Sequence, residues 1–278
     1  MVDRGESRFD DIGYWSEVKL EIVREYAHAY STILAKKHLH HVYIDAFAGA
    51  GLHLSRATER FVHGSPLNAL RIEPPFREFY FIDLDGEKVE ALRELTGDDD
   101  RVYICEGDCN EVLLRSVFPR ARYEDFRRGL CLLDPYGLHL NWEVLHTAGH
   151  MGSIEVFLNF PVMDMNRNVL WRHPESADDT QIARMNSFWG DDSWRAAAYR
   201  AEQTLFGPEE TKIPGNEAIA EAFRDRLKKV ASFRCVPDPI PMRNSIGGIM
   251  YYLLFASHQP VAEHIVRDIF NKYRDCGA

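Results

Sequence analysis

Between residues 14 and 34, apolar side chains recur at Trp15, Val18, Ile22, Tyr26, Ala29, Tyr30, Ile33 and Leu34 with charged residues between them. That is the spacing of one face of an amphipathic helix. The pattern then changes to short apolar runs at 41–45, 78–83, 101–105 and 130–134, rich in β-branched or aromatic residues and ending near an acid or a cysteine. Such runs predict parallel strands buried on both faces. Segments 66–70, 86–95 and 110–118 supply crossover helices, so the order predicts an α/β fold with a doubly wound, mostly parallel, Rossmann-type sheet. A fifth strand is expected at 154–159, and a late one at 249–256 with a closing helix at 261–273.

Residues 161–216 break this repeat, with Trp171, Trp189 and Trp194 and several arginines set among acidic turns. They predict an inserted, mostly helical subdomain on the substrate or partner side, its tryptophans forming a small core or stacking on bases. The expected division is a helix within 1–40 packed on a core of 41–160 and 217–278. Helical spacing returns at Ala218, Ile219, Ala222, Phe223, Leu227 and Val230, and Pro237, Pro239 and Pro241 then punctuate a loop.

The 278 residues are 45% hydrophobic and 27% charged, as in a folded globular protein, and the net charge of −10 argues against a general polyanion binder. No apolar run of about 18 residues predicts a membrane span. The start, Met1-Val2-Asp3-Arg4-Gly5-Glu6, lacks a signal-peptide layout, so a cytoplasmic protein is expected. Five cysteines (Cys105, Cys109, Cys131, Cys235, Cys276) are sparse and odd in number, which predicts free thiols. Cys105 and Cys109 offer two metal ligands without a second pair, and His40-His41 and the other histidines lack metal-binding spacing, so no metal is expected.

The strongest local signal is a strand that ends at Asp45 and runs through Phe47 into Gly49-Ala50-Gly51. Glycines so spaced allow positive φ and bring backbone close to a ligand at the strand ends. The position three beyond Gly51 is Leu54, which disfavours the dinucleotide pattern Gly-x-Gly-x-x-Gly. The second run ends Asp83-Leu84-Asp85; Asp83 is suited to vicinal ribose hydroxyls and Asp85 to capping the next helix, two roles open to exchange. Asp108, after the third run, either meets an adenine amino group or caps the helix near Asn110. Gly64-Ser65-Pro66 reads as a serine cap followed by a proline at the first helical position.

The fourth run ends Asp134-Pro135-Tyr136-Gly137, either a turn sequence or an acceptor site in which a carboxylate and an aromatic ring orient an amine. Asn159, ahead of Phe160-Pro161, should lie on the same edge as Asp134. Arg115, Arg120, Arg122, Arg127 and Arg128 form a local positive cluster, read either as a phosphate-facing patch for nucleic acid or as a solvated face.

Asp45, Gly49 and Gly51 match the first motif of class I S-adenosylmethionine methyltransferases, and Asp134-Pro135-Tyr136 is similar to the Asp-Pro-Pro-Tyr tetrad of amino-methylating enzymes, with one proline missing. More specifically, the chain resembles the three-Cys-motif partner protein family. The likeness runs through residues 43–51, Gly64-Ser65-Pro66, Asp134-Pro135-Tyr136-Gly137, Asn159-Phe160-Pro161 and residues 251–257. It implies a prokaryotic methyltransferase-like protein using S-adenosylmethionine and encoded beside a cysteine-motif partner protein. Asp45, Phe47, Gly49, Gly51, Asp83 and Asp108 would then bind the cofactor, and Asp134, Pro135, Tyr136 and Asn159 would meet the acceptor, for which a nucleic-acid base amine is expected. The alternative is a non-catalytic subunit of that fold that binds the cysteine-motif protein.

Overall fold

A computed structural model describes residues 10–56, 58–204, 207–244 and 246–274. Its elements in chain order are β1 (Asp10–Ile12), α1 (Tyr14–Lys36), β2 (His40–Asp45), β3 (Leu52–Ser55), β4 (Phe61–His63), α2 (Ser65–Leu70), β5 (Glu78–Asp83), α3 (Gly86–Thr96), β6 (Val102–Glu106), α4 (Cys109–Val112), β7 (Arg127–Leu133), α5 (Trp142–Met151) and β8 (Ile154–Phe160). Then come α6 (Val162–Asn168), α7 (Asp179–Trp189), α8 (Trp194–Ala198), β9 (Tyr199–Thr204), β10 (Gly207–Lys212), α9 (Glu217–Lys229), β11 (Ile240–Arg243), β12 (Ile249–Ala256) and α10 (Pro260–Arg274). Every strand and helix of the predicted repeat is present, with α4 continuing into a π turn and a 3-10 turn as far as Arg120.

The main sheet has the order β11-β12-β8-β7-β2-β5-β6. Strands β6, β5, β2, β7 and β8 are mutually parallel, whereas β12 runs antiparallel to both β8 and β11. The chain winds outward from β2 in one direction and from β7 in the other, so the switch point lies between these two strands. Asp45 ends β2 and Asp134 follows β7, which puts both carboxylates at that crevice.

Alternate side chains of each strand feed two cores. Val42 and Ile44 join Leu113, Leu145, Phe188, Trp194 and Phe223 on one face, while Tyr43 joins Tyr26, Phe81, Leu92 and Val266 on the other. Trp189 and Trp194, from the stretch that interrupts the repeat, are buried in the first core, whereas Trp171 is partly exposed. That stretch also contains the antiparallel hairpin β9–β10, so it is not purely helical.

A three-stranded sheet, β1-β3-β4, was not expected. It interrupts the path from the Gly49–Gly51 turn to α2 and brings β1 against β3 in parallel. The proline-punctuated loop likewise proves to contain β11, an edge strand where Pro241 needs no outward hydrogen bond. Cys105, Cys109, Cys131 and Cys235 are free thiols, and Cys276 lies outside the described residues. Among the described residues, no helix is long and apolar enough to cross a membrane.

Candidate active site at the carboxyl edge of the sheet

The loop after β2 is stitched across the switch point. The Ala46 amide donates to Leu132 O on β7, and the Ala48 amide donates to Ile82 O on β5. Gly49 and Gly51 have φ of 61° and 80°, in the left-handed region where a side chain is strained. Asp83 fixes this turn, its Oδ2 accepting the Gly49 amide at 2.8 Å and its Oδ1 the Asp85 amide at 3.0 Å. Each carboxylate oxygen retains a further lone pair for a ligand hydroxyl.

Asp85 caps α3 by accepting from the Glu87 and Lys88 amides. Asp108 caps α4, its Oδ1 accepting from both the amide and Nδ2 of Asn110 at 2.8 Å. It also lines a cavity of about 250 Å³ with Asp83, Gly107, Phe47 and Tyr136, so the cap and the pocket position are compatible.

The serine cap expected at Ser65 is not formed. Gly64 occupies the N-cap, and the amide of Gly64 donates to Gly51 O at 2.8 Å. A Cβ at Gly64 would lie 3.0 Å from that carbonyl, so any larger residue would crowd the turn. Ser65, freed from capping, interacts with the buried carboxyl of Asp45.

Asp45 is fully buried, and desolvation raises its pKa to about 7, opposed by Ser65 and the Phe47 amide. Its Oδ1 accepts from the Phe47 amide at 3.3 Å, while its Oδ2 has no hydrogen-bond partner among the described residues. Such an atom costs desolvation energy unless something answers it. Two others, His53 Nδ1 and Asn159 Oδ1, belong to residues lining the adjoining cavity of about 590 Å³. The two cavities share Phe47 and Tyr136 and together form one groove over the strand ends.

Asp134, Pro135, Tyr136 and Asn159 all line the larger cavity. Asn159 Nδ2 donates to Asp134 Oδ1 at 2.5 Å, which brings together the two polar residues expected at the acceptor. Asp134 Oδ2 pairs with Lys19, a residue missed in the sequence. Burial alone would lower the pKa of the Lys19 ammonium, but Asp134 and Tyr251 hold it above the ordinary lysine value. The signal was available: Lys19 lies four residues after Trp15 and three before Ile22, on the face of α1 that the apolar pattern buries.

Tyr136 turns away from Asp134 towards two other residues missed in the sequence. Its hydroxyl lies 3.2 Å from Lys88 Nζ and 3.2 Å from Asp10 Oδ2, and Lys88 and Asp10 are themselves paired at 2.7 Å. Strand β1 thereby closes one side of the groove.

The arginine cluster does not share this edge. Arg127 and Arg128 open β7, at the opposite end from Asp134. Arg115 pairs with Glu111, Arg122 with Asp125 and Arg127 with Glu78, and Arg120 interacts with Tyr80. Arg128 instead stacks on Tyr123, 3.6 Å from the ring centroid.

No protein-family model and no curated protein matches the chain. Among solved structures, it is similar to protein LPL1258 from Legionella pneumophila str. Philadelphia 1, at 12% identity and a TM-score of 0.54, over 93% of this chain and 94% of that one. It is also similar to the N-methyltransferase NodS from Bradyrhizobium japonicum WM9, solved in complex with S-adenosyl-L-homocysteine, at 9% identity and a TM-score of 0.39, over 84% and 86% of the respective chains. Of the two, the Legionella protein superposes closely enough to bear on the architecture, and at such identity the likeness concerns the fold alone. The fold is a Rossmann-like, doubly wound α/β sheet flanked by helices.

Proposed function

We propose that the chain is an S-adenosylmethionine-dependent methyltransferase with a nitrogen acceptor. The observation that carries this reading is the groove at the switch point, where a positive-φ glycine turn, strand-tip carboxylates and unpartnered buried polar atoms converge. In this reading Asp45, Phe47, Gly49 and Gly51 surround the methionine half, Asp83 accepts from the ribose and Asp108 faces the adenine. Asp45 supports the cofactor assignment independently, because a cationic group beside a desolvated carboxyl would favour its ionised form and answer its unpartnered oxygen.

When bound, the cofactor supplies a methyl group already activated by its sulfonium. What remains for the protein is to align the acceptor and exclude water. Asp134 holds the Asn159 amide with its nitrogen donating, which leaves Oδ1 as the acceptor for a substrate N–H. Lys19 pairs with Asp134 and fixes it, and Pro135 and Tyr136 form the wall. The finer assignment, a nucleic-acid base amine, rests on the Asp134-Pro135-Tyr136-Gly137 sequence, without support from the arginine cluster at the other edge. Residues 161–216 are assigned to the substrate or partner side and the protein to the cytoplasm.

A second reading is favoured by the pairing of Asp134 with the buried Lys19, which gives this carboxylate a structural role. Here the chain is a non-catalytic member of the same fold, and its partner is the cysteine-motif protein implied by the sequence resemblance. Calorimetric titration with S-adenosylmethionine, S-adenosylhomocysteine and NAD separates these ideas. The proposal expects micromolar binding of the first two and at least about tenfold weakening in Asp83→Ala. Labelled methyl transfer to tRNA, DNA and cell-extract fractions then tests the acceptor. Label confined to small molecules would overturn the base assignment, and undiminished transfer by Asp134→Ala would remove Asp134 from the site.

A further inference from the structure

At the amino edge of the sheet, away from the groove, lies a cavity of about 180 Å³ between α1, α10 and the starts of β7 and β8. Its body is apolar, with Ile33, Leu34, Val261, Ala262 and Ile265 among its walls. An apolar protein cavity of about 150 Å³ is large enough for benzene, so one ring or a short branched chain fits this one.

Several polar groups in its wall have hydrogen bonds still to donate. Tyr30 and Ser153 are 6% and 2% exposed, and neither hydroxyl has a partner among the described residues. Arg128 uses only Nη1, which donates to Tyr123 O and Arg127 O. Its Nε and Nη2 have no partner among the described residues, and no carboxylate pairs with it there, in contrast to Arg127 beside it. The carboxyl in the wall, Glu155, is already engaged, by the Tyr26 hydroxyl at 2.5 Å and the Ser257 hydroxyl at 2.8 Å. His258 donates its Nε2 hydrogen to Gly149 O at 2.7 Å. Lys37, also in the lining, is exposed and adds positive charge.

We propose that this cavity is a second binding site, for a small monocarboxylate whose compact apolar body fills the pocket while its head meets Arg128 and the hydroxyls of Tyr30 and Ser153. A guanidinium and two hydroxyls offer a carboxylate charge-assisted hydrogen bonds, whereas an ammonium would meet the like charge of Arg128. Burial raises the Glu155 carboxyl to about 7, which limits the negative charge that a carboxylate would meet near neutral pH. The site is independent of the methyltransferase reading, since it shares no lining residue with the groove.

Calorimetry and ligand-observed NMR on the full chain with benzoate, benzamide and benzylamine test it. Benzoate should bind one-to-one, more tightly than benzamide, and benzylamine least. Arg128→Met should weaken benzoate at least about tenfold while leaving benzamide unchanged. Tyr30→Phe, which deletes a hydroxyl without a hydrogen-bond partner among the described residues and so leaves folding intact, should weaken benzoate severalfold. No benzoate binding up to about 10 mM, a preference for benzylamine, or benzoate affinity unchanged in both variants would each overturn the proposal.

Discussion

The carboxylate of Asp134 is held by one charged partner and one neutral one, and the two contribute differently. Lys19 is nearly inaccessible, and its desolvation is offset chiefly by the carboxylate it meets. Replacing it with methionine keeps the stem that packs in α1 but leaves Asp134 without its counter-ion. Lys19→Met should therefore cost about 3 kcal/mol in urea unfolding, at the low end for a broken buried pair because Asp134 remains partly exposed. Adding Asp134→Asn to Lys19→Met should recover part of that loss. A double-mutant cycle with no coupling would mean that the pair contributes nothing to folding. This interaction was half legible in the sequence: Asp134 stood out at its strand tip, whereas Lys19 was hidden in a helical stripe read as purely apolar.

Helix α5 packs so closely on the chain after α9 that a side chain at Gly149 has no room. A Cβ there would lie 1.9 Å from the backbone oxygen of Ala231, and backbone cannot rotate away as a side-chain tip can. Gly149→Ala should thus destabilise by about 1–3 kcal/mol through overpacking, against the small gain that alanine usually brings to a helix. Equal or greater stability in denaturant melts would show that α5 and residue 231 separate at no cost. Elements of this main layer were legible because each buries an apolar stripe of its own. Strands β1, β3 and β4 were not, since three- and four-residue strands carry too little alternation and depend on partners distant in the chain. For the same reason the carboxylates at the tips of β2, β5 and β7 could be ordered along one edge in advance. The wall that β1 builds over them, through Asp10, Lys88 and Tyr136, followed only from the tertiary pairing.

Across the whole molecule, two carboxyls are buried on opposite edges of one sheet, Asp45 beside the groove and Glu155 beside the amino-edge cavity, and burial raises both to about 7. In the unfolded chain such groups titrate near 4, so between about pH 4 and 7 the folded chain holds protons that the unfolded chain has released. Their contribution to stability is complete below the unfolded value and is lost as pH rises through the folded value. His53 and His258, both half-buried, have pKa values lowered by desolvation and act in the opposite direction over part of this window, because the unfolded chain binds their protons more readily. The net slope of the parent protein is therefore a poor test, and the difference from a variant is a clean one. Glu155→Gln removes one titrating group while keeping polar atoms opposite Tyr26 and Ser257. Relative to the parent, it should gain on the order of 2 kcal/mol between pH 5 and pH 8, measured by chemical unfolding at each pH. Asp45→Asn should show the same sign. S-adenosylmethionine at saturation should reduce the gain for Asp45→Asn and leave that for Glu155→Gln unchanged, because a cation beside Asp45 favours its ionised form. A gain that shrinks as pH rises would mean that these carboxyls are ionised in the folded protein, and that their surroundings supply the charge that burial takes away.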